Sequence, residues 1–115
     1  MNDTIRQAYD DYKAACKLEY RPRTHHTTYV NNMRIYNEAR YKLCVLLVRE
    51  YEDGRLVNDQ INNIKRIMDS IEYPPEMSKP ITYMNYHSEM TKMTRLFHDA
   101  LIYEYENRIS ECKAG

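Results

Sequence analysis

The chain has 115 residues, and its 17 Lys and Arg balance its 17 Asp and Glu. That length supports one domain and leaves little room for two. Zero net charge supplies no global field to draw in nucleic acid or an anionic membrane. Val, Ile, Leu, Met and Phe make up only about a quarter of the sequence, so the 12 tyrosines and 7 methionines must supply much of the buried surface. Tyrosine keeps a polar handle and methionine fills irregular gaps, so both suit a core completed by self-association or by a partner.

The spacing predicts an all-α, single-domain bundle of about four helices, over residues 3–20, 28–53, 58–72 and 83–112. In the first, Ile5, Ala8, Tyr9, Tyr12, Ala15, Cys16 and Tyr20 share a stripe. Pro22 ends it by pushing Arg21 out of helical geometry. The second starts at Thr27 or Thr28, whose hydroxyl can cap a backbone N–H, and stops at Gly54, which tolerates a left-handed backbone. Met33, Tyr36, Leu43, Cys44, Leu47 and Tyr51 line one stripe of it. Apolar residues flank that stripe on both sides, which marks this helix as the expected centre.

Asn58 or Asp59 is expected to cap the third helix, whose Ile61, Ile64, Ile67, Met68 and Ile71 face inward until Pro74-Pro75. The fourth starts near Thr82 or Asn85 and carries Tyr86, Met90, Met93, Phe97, Ala100, Leu101 and Tyr105 on one face. It is the longest, and its surplus end is a candidate for pairing with a second subunit. The polar N-terminus lacks the apolar core of a signal peptide, and no window approaches a membrane span. The expected location is therefore cytoplasmic.

Four charges fall on apolar stripes: Arg40, Glu50, Glu104 and Arg108. Arg40 reads either as a side chain whose stem packs while its head snorkels to an edge or a carboxylate, or as an anion-binding group lining a pocket or an interface. One reading has the last helix leaving the core past Leu101, so that Glu104 and Arg108 are solvated. The other gathers all four into a paired polar cluster, since isolated charges are too costly to bury. Arg40, Arg108, Glu104, Tyr36 and Tyr105 are thereby the candidate ligand-binding residues. The guanidinium groups could hold an anion such as a nucleotide and the rings could stack on a base.

Catalytic chemistry finds little footing. Cys16, Cys44 and Cys112 are odd in number, form no Cys-x-x-Cys and occupy positions expected to face inward. No glutamate has a histidine three residues later, so a di-metal bundle is not signalled. Glycine occurs only at 54 and 115, which removes Gly-rich phosphate loops. No catalytic residue, metal or cofactor is expected. Lys13, Lys17, Arg21 and Arg23 form the nearest approach to a basic patch, and cations are ordinary near a helix C-terminus. Nucleic-acid binding is the weakest reading.

The octet from His25 to Asn32, His-His-Thr-Thr-Tyr-Val-Asn-Asn, resembles the start of the first long helix in iron/manganese superoxide dismutases. In that family the metal-binding histidine precedes the doublet by four residues, where this chain has Arg21. The family's tryptophan-containing and Asp-x-x-x-His motifs are absent, so no activity carries over. In composition the chain resembles the small accessory proteins of bacteriophages. That likeness implies binding and blocking of a host macromolecule, or sequestering of a small effector. The Tyr- and Met-rich sequence, its thin aliphatic core and its lack of a catalytic constellation point to a non-enzymatic, dimeric interaction protein that inhibits or adapts a partner macromolecule. The alternative is a module that sequesters a small anion such as a nucleotide.

Overall fold

The structure, a computed structural model, describes residues 3–18, 26–75 and 79–114. Among the described residues it is all-α, with four helices: α1 (Asp3–Cys16), α2 (His26–Glu52), α3 (Asp59–Asp69) and α4 (Pro80–Ala114). No strand occurs among the described residues. No helix among them is long and apolar enough to cross a membrane. Their contacts fall into two compact units, Met1–Arg49 and Glu50–Gly115.

In the first unit α1 buries Ile5, Tyr9 and Ala15. Tyr12 lies against Tyr36 of α2 at 5.9 Å between ring centroids. An open groove of about 440 Å³ beside this contact is lined in part by Ala14, Ala15, Leu18, Ile35 and Ala39. α1 stops earlier than its periodicity suggests. Lys17 and Leu18 donate to the carbonyls of Ala14 and Ala15, three residues back, which tightens the final turn. The expected stop at Arg21-Pro22 lies outside the described residues. Cys16, expected inside, is exposed, while Cys44 is buried. The side chain of Cys112 lies outside the described set.

α2 keeps its apolar stripe but buries only part of it. Leu43, Cys44 and Leu47 are buried, whereas Met33 is exposed, as are Tyr29, Val30 and Ile35 near it in the chain. Periodicity locates the face of a helix. It does not say how far along the helix a neighbour covers that face.

The second unit opens with the last residues of α2. Gly54 has φ +80°, its N–H donates to the Tyr51 carbonyl, and the N–H of Arg55 returns to that of Glu50. These two bonds are the Schellman closure of a helix. Leu56 then turns inward, fully buried. Asn58 starts α3 from an extended backbone, and its carboxamide oxygen accepts from the Ile61 N–H at 2.7 Å.

α3 runs antiparallel to α4. Asn58 meets Glu104, Met68 meets Thr94 and Tyr73 meets Tyr86. α3 ends at Asp69 with Ser70 as its C-cap. Ile61 is fully buried, but Ile67, expected inward, is exposed. The inward arc of this short helix is narrower than the run of isoleucines.

α4 begins at Pro80, two residues before the expected threonine, because proline suits a first helical position whose N–H would go unpaired anyway. Phe97, Leu101, Ile102 and Tyr105 are buried. The helix therefore does not leave the core past Leu101.

Asn58 supplies both a cap and a cross-helix bond. Replacing it by Ala should cost about 1–2 kcal/mol in urea denaturation. Asn58→Asp keeps the capping oxygen but sets a carboxylate against Glu104. It should recover only part of the loss, and full recovery would show that the bond to Glu104 contributes nothing.

Candidate functional site

Among the charges singled out from sequence, Glu104 and Arg108 come together. Arg108 Nε donates to Glu104 Oε1 at 3.1 Å, both side chains being more than two-thirds covered. The guanidinium also donates to the carbonyl oxygens of Arg55 and of Val57, the latter at 3.0 Å. Glu104 Oε2 accepts from the Asn58 carboxamide at 2.9 Å. Glu104 thus ties α4 to the cap of α3, and Arg108 ties it to the turn before that cap.

Glu50 completes the arrangement with a partner that sequence reasoning missed. It is the buried charged residue of the described core. Arg55 grips it with two bonds, Nε to Oε2 at 2.6 Å and Nη2 to Oε1 at 3.1 Å. Arg55 also reaches Asp53 at 2.8 Å. The bond from Arg55 holds the Glu50 carboxyl below its usual range, outweighing the burial that pushes it up. Glu50 and its neighbour charge in turn raise Arg55 further above neutrality. A signal for this pair was present in the sequence. In the Schellman closure the third-from-last helical residue and the residue after the glycine touch, usually through apolar groups. Here those positions are Glu50 and Arg55.

The remaining candidates take other roles. Tyr105 is a buried residue of α4. Arg40 and Tyr36 belong to the first unit and are half-buried. Tyr36 is engaged with Tyr12, whose hydroxyl is pushed above the usual tyrosine range by burial and by hydrogen bonding with Cys16 and Tyr36.

In chemical terms the Glu50–Arg55 and Glu104–Arg108 pairs form a clasp. Every nitrogen of the Arg108 guanidinium already donates to an acceptor of its own chain, which leaves it poorly placed to hold an anion. No buried side-chain nitrogen or oxygen among the described residues lacks a partner. No three His, Cys, Asp or Glu side chains among them converge as metal ligands would.

A second feature was not foreseen. Between the end of α3 and the start of α4 lies an open groove of about 470 Å³. Ile67, Ile71, Pro74 and Tyr86 supply its apolar lining, and Glu72 and Glu89 its carboxylates. Exposure of Ile67 was the clue that periodicity hides.

Two measurements test the clasp. Arg108→Leu should lose about 1–3 kcal/mol, because it strips hydrogen bonds from a covered carboxylate and two carbonyls. Arg34→Leu removes a pair whose side chains are both about 60% exposed, and should stay within about 0.5 kcal/mol. Glu50 should give a signature in pH. Its folded pKa is depressed, so its stabilisation is present above the unfolded value and is lost as pH falls through the folded one. The stability gap between wild type and Glu50→Gln should be widest near neutrality and close below the usual carboxylate range. A gap independent of pH would show that the Glu50 charge is immaterial.

Compared with known proteins, the chain finds no match among family models, curated sequences or solved structures.

Proposed function

We propose that this chain is a non-enzymatic interaction protein that binds a partner macromolecule and inhibits or adapts it, and that the first half of α4 is its contact surface. One observation carries this reading. No residue from 80 to 96 is buried: Ile81 and Met84 are 72% and 67% exposed, Tyr83 between them is exposed, and so is Leu96 about three turns further on. Large apolar side chains left open along one stretch of helix favour burial against something else. Tyrosine and methionine are the types enriched where proteins meet. Tyr83 rests its ring on His87 at 4.3 Å between centroids, which limits the freedom it would lose on binding.

The likeness in composition to bacteriophage accessory proteins ranks inhibition of a host macromolecule first. Sequestration of a small anion has less support, because Arg108 is committed to the clasp.

The test is a comparison between two forms of the chain. The full chain is immobilised and a host lysate passed over it, beside an Ile81→Asp/Met84→Asp double variant. Both positions are exposed, so the variant should keep its helical circular dichroism and lose no more than about 1 kcal/mol. A protein retained by the wild type and released by the variant is the expected result. Equal retention by both forms would remove α4 from the interface, and retention by neither would remove the reading itself.

A further inference from the structure

The zero net charge of the chain conceals a division. Residues 1–49 carry nine Lys and Arg against five Asp and Glu, while residues 50–115 carry eight against twelve. The two compact units are thus oppositely charged, by four in each direction.

The acidic unit has a place where this charge is concentrated on a concave surface. The groove between α3 and α4 has Glu72 and Glu89 in its lining and no Lys or Arg. Neither carboxylate has an ion-pair partner among the described residues, whereas Glu50, Asp53, Asp69 and Glu104 all do. Tyr86 adds an aromatic ring, steeply inclined to that of Tyr73 at 5.4 Å between centroids. A lining that combines an aromatic ring with two carboxylates suits an ammonium group on an aliphatic stem, through charge pairing and stem packing. A volume of this size is within the range of ligand-holding clefts, ~300–1,000 Å³.

The basic unit offers a matching pair. Lys13 and Lys17 are exposed at the C-terminal end of α1. Lys13 stands in the last turn of α1 and Lys17 just beyond its end, so two like charges lie close in the chain. Two carboxylates placed across from them would turn their repulsion into attraction.

We infer that the α3–α4 groove receives the Lys13/Lys17 end of α1 from a second copy of this chain. A two-fold axis makes the contact reciprocal, since each copy brings one groove and one lysine pair, and it closes the assembly as a dimer. Ile81, Tyr83 and Met84 do not line the groove. The contact therefore goes beyond the binding reading above, and either can fail without the other.

Charge reversal tests the inference. Sedimentation equilibrium is run on the full chain at about 0.01 M and about 0.5 M salt, where screening lengths differ several-fold. The wild type should show twice the chain mass at low salt, and its dissociation constant should rise at least tenfold at high salt. Glu72→Lys/Glu89→Lys and Lys13→Glu/Lys17→Glu should each be monomeric alone, because each sets like charges across both contacts. Mixed in equal amounts they should again form dimers, because both contacts are then of opposite sign. Restoration on mixing also shows that each variant is folded. A wild type that stays monomeric at low salt overturns the inference, as does self-association that survives in either variant, or a mixture that remains monomeric.

Discussion

The turn at Gly54 is the constraint on which the second unit depends. A helix leaves its last carbonyl groups without partners, and here the Glu50 and Tyr51 carbonyls are recovered by the N–H groups of Arg55 and Gly54. The left-handed backbone at Gly54 makes that recovery possible. A Cβ built there would meet nothing within 4 Å, so the demand for glycine comes from the backbone and not from crowding. Once the turn is closed, Arg55 lies beside Glu50, Leu56 is directed inward, and Asn58 is delivered to the start of α3. The same asparagine reaches Glu104, and Arg108 returns from α4 to the turn. Each contact restricts the choices left to the next.

That these contacts are polar has physical consequences. Burying Glu50 carries a desolvation cost, and the two-bond grip of Arg55 offsets it, as the downward direction of the carboxyl shows. A well-packed apolar pair at the same positions could be at least as stable, since paired charges in covered sites often gain little over hydrophobic replacements. Direction distinguishes the polar solution. A carboxylate and a guanidinium bond in few orientations, whereas leucine and methionine pack in many. In a chain with few aliphatic residues, the clasp sets the register of α3 against α4 at one end. Ile61, Phe97 and Leu101 fill the middle.

The helices were legible because the 3.6-residue period of apolar positions is a property of the chain alone. Gly54 and Asn58 could be read for the same reason, as each acts through its own backbone or its nearest amides. Cys16 and Ile67 were misplaced because a stripe shows direction but not coverage. In the last turn of α1 Ala15 is buried but Cys16 is exposed, and α3 is too short to bury every isoleucine. The clasp was half visible. Glu50, Glu104 and Arg108 sit on helices, where periodicity marks a charge in an apolar stripe as an exception. Arg55 sits in a turn, where no period exists to be broken, and its partnership follows only from the closure geometry. The groove could not be read at all, since it arises from residues on either side of a connection whose path the sequence leaves open.

The length of α4 explains why one stretch of apolar residues lacks cover. At ~1.5 Å per residue its 35 residues extend about 52 Å, while the 11 of α3 extend about 16 Å. α3 and the turn before it accompany α4 from Arg108 to about Thr94, and Tyr73 carries the contact on to Tyr86. Toward Pro80 the helix has less to pack against among the described residues of its unit. A helical segment without tertiary contacts is marginal in water, because propagation alone returns little free energy per residue. In the first turns of α4 one side faces the end of α3 across the groove, while Ile81 and Met84 stand exposed. Apolar contact with another macromolecule would add most at that point. It would bury side chains that already share a helix, and would supply the packing that the chain's own third helix is too short to give.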